Sequence, residues 1–133
     1  MKNKIKLLLY IQPVDIDGDV SYDVYPPAPG VIHGTGFVHE WHHDPSTRTR
    51  LRVDFLDRKG GTQSHLKITK IMAGDIDITS SLQTSPYIRH DTKQPVTGTY
   101  GYMSWPGSVW IQVRYSPLVH QYVTNFYQKS LVD

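Results

Sequence analysis

GTYGYMSWPGSVWIQVRYSP, residues 98–117, joins a glycine-rich aromatic turn region to the clearest strand signal in the chain. From Val109 the residues alternate: Val109, Ile111, Val113 and Tyr115 share one face, and Trp110, Gln112 and Arg114 the other. A period of two sends the first set into a core and the second toward solvent or a partner. Ahead of this strand, Tyr100, Tyr102, Met103 and Trp105 stand among Gly98, Gly101, Pro106 and Gly107, too punctuated for a helix. The aromatic content of that turn marks it as a binding candidate.

The same pattern recurs outward through the chain. Leu51, Val53 and Phe55 form the inward face of one strand, with Arg50, Arg52 and Asp54 outward. Leu66 and Ile68 continue the alternation, which slips near Lys70-Ile71 and predicts a bulge there. Ala73-Gly74-Asp75 turns the chain into a short strand at Ile76 and Ile78. Residues 79–97 read as a long loop with one strand around Tyr87 to Arg89. Toward the N-terminus, Lys4–Ile16 and Val20–Tyr25 flank Asp17-Gly18, a dipeptide suited to a hairpin turn. Pro26-Pro27-Ala28-Pro29-Gly30 breaks pairing and carries the chain to another sheet, and Val31–His43 resumes as one strand. The opening MKNKIKLLLYIQP reads as the first strand, because Lys6 interrupts its apolar run and no small-residue cleavage site follows.

Composition agrees with this reading. The 133 residues include one glutamate, Glu40, and two alanines, Ala28 and Ala73, so two of the best helix formers are nearly missing. Ten glycines and nine prolines supply turns. The expected fold is all-β, a single β-sandwich or jelly-roll domain over residues 1–133, with strands bounded by turns about every 8–12 residues. Ser116-Pro117 offers a cap and first position for a short C-terminal helix carrying Val119, Tyr122, Val123, Phe126 and Tyr127. A last strand is the alternative for that segment.

Most of the chemistry-bearing residues have an ordinary structural role open to them. His39, Glu40, His42 and His43 are metal-ligand types, but strand parity sends His39 and His42 to opposite faces, so no metal is expected. Asp15, Asp17 and Asp19 have the spacing of oxygen ligands, yet Val20 and Pro26 stand where an EF-hand needs glycine and glutamate. Arg48, Arg50, Arg52 and Arg58, with Lys67 and Lys70 on an expected neighbouring strand, are interrupted by Asp44, Asp54 and Asp57 and read as a solvated face. A formal charge of +2 does not argue for nucleic acid, and no apolar run has membrane-spanning length. Without cysteine there is no thiolate chemistry or disulfide framework. Ser104, Ser108 and Ser116 lack a nucleophile context, and the chain is read as non-enzymatic and cofactor-free. The aromatics carry the functional reading: Tyr100, Tyr102, Trp105 and Trp110, with Arg114, form the expected interface or sugar-binding set.

The segments LRVDFLDRKGG, HLKITKIMAGDIDIT and YGYMSWPGSVWIQVRYSPLVHQYV resemble the carbohydrate-binding-module-like jelly rolls of small virion proteins of tailed bacteriophages. The resemblance covers the chain after Arg50. It implies a tail, fibre or capsid-surface component in the virion that contacts other virion proteins and forms homo-oligomers. Oligosaccharide binding, with or without calcium, is the alternative that the same resemblance carries.

Overall fold

Alternation of apolar side chains builds two layers. The computed structural model describes residues 4–14, 19–44, 49–59, 64–96 and 98–113. Eleven strands lie among them: β1 Ile5–Val14, β2 Asp19–Tyr25, β3 Gly30–His33, β4 Gly36–His43, β5 Thr49–Lys59 and β6 His65–Ala73, then β7 Ile76–Asp77, β8 Tyr87–Arg89, β9 Pro95–Val96, β10 Tyr102–Met103 and β11 Gly107–Val113. A single 3-10 turn covers Thr79–Gln83. The first sheet has the order β10-β6-β1-β4-β3, with β7 also beside β6, and the second has the order β2-β5-β11-β8-β9. Every pairing is antiparallel. The fold is an all-β sandwich.

The inward faces meet in one core. Leu7, Leu9, Leu66 and Ile71 of the first sheet and Leu51, Val53, Phe55 and Ile111 of the second are each fully buried. Each such side chain contributes about 1.5–3 kcal/mol relative to exposure, which is what holds two otherwise separate sheets together. The slip in β6 falls where the alternation predicts it, because the register with β1 jumps from Tyr10↔Lys70 to Ile11↔Ile68 and leaves Thr69 unpaired. Gly74, at φ +59, makes the β6–β7 turn in a conformation that L side chains rarely adopt.

Three sequence expectations are corrected by the topology. β1 and β2 are not a hairpin, since β1 pairs with β4 and β6 while β2 pairs with β5 in the other sheet. Both strands have a buried face, and placing them in opposite sheets turns Leu7, Leu9 and Ile11 of β1 and Val24 of β2 into the one core. Residues 31–43 form two strands rather than one, folded at Gly34-Thr35, where Gly34 takes φ +61. β5 and β6 likewise lie in different sheets, so Lys67 and Lys70 do not neighbour the arginines of β5. Between Val14 and Asp19, His43 and Thr49, and Lys59 and His65 the chain changes sheet each time. The proline segment after Tyr25 does carry the chain from the second sheet to the first, as its composition predicts. The proposed terminal helix and the Asp17-Gly18 turn lie outside the described residues.

Candidate functional site

Two surfaces concentrate polar and aromatic groups, and both involve β2. The first is a cleft of about 600 Å³ between β2 and the inner side of β4, lined by Tyr22, Val24, Ala28, Phe37 and His39 among others. Its walls are fixed by one hydrogen-bonded chain. Burial pushes the Tyr22 hydroxyl up to about 12, so it keeps its proton and donates to His39 Nε2 at 2.9 Å. His39 is thereby left with its proton on Nδ1, which donates to the Ala28 carbonyl at 2.9 Å. The Tyr22 ring stands edge-on to His39 and tilted against Phe37, with centroids 5.6 and 6.2 Å apart. Next to it, Trp41 donates Nε1–H to the Pro26 carbonyl at 2.8 Å, tying the proline segment to β4. The cleft is therefore preformed.

The second surface is the outer face of the second sheet. Register aligns Tyr25 of β2, Arg52 of β5 and Trp110 of β11 in one row. The Arg52 guanidinium lies 5.0 Å from the Tyr25 ring and 5.3 Å from the Trp110 ring, a cation–π bridge across three strands. Arg52 Nε also donates to Asp54 at 3.0 Å, which anchors the guanidinium in the row. One row further, the Ser108 hydroxyl donates to Asp54 at 2.6 Å, and His90 Nε2 lies 3.1 Å from the same hydroxyl oxygen. Serine, histidine and aspartate meet here in an order that does not activate the serine. Its proton is directed to the carboxylate, so the histidine nitrogen serves as donor to the oxygen rather than as a base.

The residues singled out from the sequence fall in separate places. Trp110 is half-buried on the outer face, as its parity predicts, under Arg52. Trp105 lies beneath Arg89 of β8 at 5.0 Å, so the two tryptophans engage opposite neighbours of β11. Tyr102 belongs to β10 at the edge of the first sheet, where its hydroxyl bonds His65. Tyr100, at φ +54, is more than half exposed in the turn before it. Arg114 lies outside the described residues. His39 and His42 do take opposite faces: His39 is buried, and His42 is exposed and pairs with Glu40 at 3.1 Å. Among the described residues no group of three histidines, cysteines or carboxylates could hold a metal ion.

Tyr22 and Tyr25 carry no site signal in the sequence, and Arg52 reads there only as part of a solvated basic face. Tyr25 and Arg52 become partners only through the β2–β5 register, and Tyr22 meets His39 only because the sheets stack. A parity signal existed for Tyr25, which falls on the outward side of β2.

No family model matches the chain, and no curated protein matches it. Among solved structures it is similar to a chain described as vCBM60 in complex with galactobiose, at 16% identity and a TM-score of 0.45, over 81% of this chain and 99% of that one.

Proposed function

We propose that this chain is a non-catalytic binding domain that acts in assembly, presenting the outer face of its second sheet to a protein partner. The observation that carries the reading is the Tyr25–Arg52–Trp110 row. Tyrosine, tryptophan and arginine are the residue types that dominate binding energy at protein interfaces. Arg52 already covers ring faces of Tyr25 and Trp110, which leaves a protein surface better suited than a sugar ring to the row. Beside it, Asp23 is exposed on β2 and Gln112 half-exposed on β11, supplying the polar rim such contacts need. The finer assignment, a surface component of a bacteriophage virion that contacts other virion proteins and copies of itself, follows the resemblance of the later segments. Its test is sedimentation of the purified chain alone and with candidate virion proteins. Co-sedimentation that is lost in Trp110→Ala supports it, and a monomer that joins no particle overturns it.

A second reading has its own observation. Tyr100 and Tyr102 are 59% and 41% exposed around the turn before β11, whereas the Trp105 ring has Arg89 over it and adds only its remaining surface. Aromatic faces open to solvent are what a sugar ring stacks on, with polar groups nearby for its hydroxyls. A glycan array probed with and without calcium tests oligosaccharide binding. Retained glycans support it, and no retained glycan in either condition, with the protein folded, removes it.

A further inference from the structure

The two sheets do not end together. β2 packs beneath β4, where Tyr22 meets Phe37 and His39. In the first sheet β3 continues one strand further out, whereas among the described residues β2 is the last strand of the second. The register sets Ile32 opposite Phe37 and Gly30 opposite His39, so Ile32 faces the inner side of the sandwich with them. Among the described residues no strand lies beneath Ile32, and this inward-facing side chain is 78% exposed. The cleft lies next to it, lined by Gly30 of β3 and by Phe37, the register partner of Ile32. One of its walls is β2 from Val20 to Val24, inward and outward residues alike. Consecutive residues lining a wall present the edge of a strand, whose alternate N–H and C=O groups point away from its one partner.

We propose that this cleft receives a single extended peptide segment from a partner protein, which pairs with the free edge of β2 and buries an apolar side chain against Ile32 and Phe37. The site is distinct from the Tyr25–Arg52–Trp110 row and shares only Asp23, at the border of the two, with that face. Strand addition to an open edge draws affinity from main-chain hydrogen bonds and selectivity from pockets for alternate side chains. At Ile32 and Phe37 the inward face is apolar and aromatic, so the segment carries an aliphatic or aromatic residue there. Its outward neighbours lie beside exposed Asp23, which favours lysine, arginine or threonine. Pro26 and Pro27 lack N–H groups and limit the pairing to β2 itself. The overhang also selects the kind of occupant. A second copy pairing β2 to β2 would bring its own β4 above its own β2, the place that β3 of the first copy already fills. A lone strand, from a terminal arm or a loop, has no second layer and fits.

The test uses the full chain and a panel of labelled eight-residue peptides that alternate valine, isoleucine or phenylalanine with threonine or lysine. Binding is read by fluorescence anisotropy, and the contact by amide hydrogen exchange. Saturable binding by members of the panel, with new protection of alternate β2 amides, supports the proposal. Ile32→Asp then weakens binding at least about tenfold, the scale of losing a buried anchor. Val31→Asp does not, because Val31 is also exposed but pairs with Val38 on the opposite face. Three results would overturn it: no peptide binds, both variants lose binding equally, or the alternate β2 amides are already protected without peptide. In the last case, protection that grows with protein concentration identifies a second copy as occupant, and protection independent of concentration identifies the chain's own residues.

Discussion

Tyr22 and His39 are joined by a hydrogen bond at the border of the core. The hydroxyl of Tyr22 supplies the proton that His39 Nε2 accepts, and Ala28 takes the proton on the other ring nitrogen. Tyr22→Phe keeps the ring packing but leaves that buried nitrogen without a donor, at a cost of about 1–3 kcal/mol. Urea unfolding measures it: the midpoint falls with the slope unchanged, and an unmoved midpoint means the bond does not hold the cleft. His43 gives a pH signature. It is 4% exposed, and burial holds its pKa below the ordinary 6.5, an effect that nearby Asp44 partly opposes. The unfolded chain therefore takes up a proton that the folded chain refuses, beginning as pH falls through about 6.5. Stability is lost on acidification in that window and regained as pH rises. Thermal melts at about pH 7.5 and 5.5 show the drop, and His43→Leu flattens it. Asp77 acts lower: hydrogen bonds from Thr79 hold its carboxyl below 3.8, so its contribution persists above that value and fades only in stronger acid.

At the scale of the element, β11 carries an outward-facing tryptophan and a tightly packed glycine within four positions. Trp110 is half-buried on the outward face, so Trp110→Ala changes folding stability by about 1 kcal/mol, as surface substitutions do. In an interface the same change weakens partner binding by about 2 kcal/mol or more. Paired melting and binding assays separate the two, and a strongly lowered melting temperature would assign Trp110 to the core. Gly107 is the contrast. A Cβ there would stand 2.5 Å from both the Ile88 carbonyl oxygen and the Tyr87 ring, so Gly107→Ala forces β8 away from β11. The overpacking costs about 1–3 kcal/mol, visible as a lowered melting temperature without any change on the outer face. Strands were legible because their period is local: β8 falls on Tyr87–Arg89, and the inward faces of β5 and β11 are the ones their alternation indicates. Pairing was not legible. Asp17-Gly18 satisfies a hairpin turn as a dipeptide, but both hydrogen-bonding edges of β1 are taken by β4 and β6, many residues away. The candidate site suffers most from this. Tyr25, Arg52 and Trp110 make a row only once three strands are in register, and Arg52 by itself reads as one more surface cation.

Across the whole molecule, the repeated changes of sheet bind the two layers into one cooperative unit. β1, β2, β4, β5 and β6 alternate between sheets along the chain, so neither sheet can assemble from neighbouring hairpins alone. Each central pairing closes a long stretch of sequence, as when β1 meets β6 or β5 meets β11. Such topologies fold slowly, in about milliseconds to seconds, because loop-closure entropy is spent before the distant contacts form. They also unfold together, since removing one layer exposes the apolar face of the other. Two tryptophans are placed to report this separately: Trp41 lies on β4 of the first sheet and Trp110 on β11 of the second. Replacing Trp105 and Trp110 by phenylalanine leaves Trp41 as the reporter; replacing Trp41 and Trp105 leaves Trp110. In each variant the tryptophan fluorescence and the far-ultraviolet circular dichroism should give coincident urea midpoints, and Val53→Ala, fully buried in β5, should lower both reporters' midpoints by the same amount. A substitution of this kind costs about 1–3 kcal/mol, well above the resolution of the comparison. If Val53→Ala moves the Trp110 transition and leaves the Trp41 transition in place, the sheets are separately stable and the crossings do not couple them.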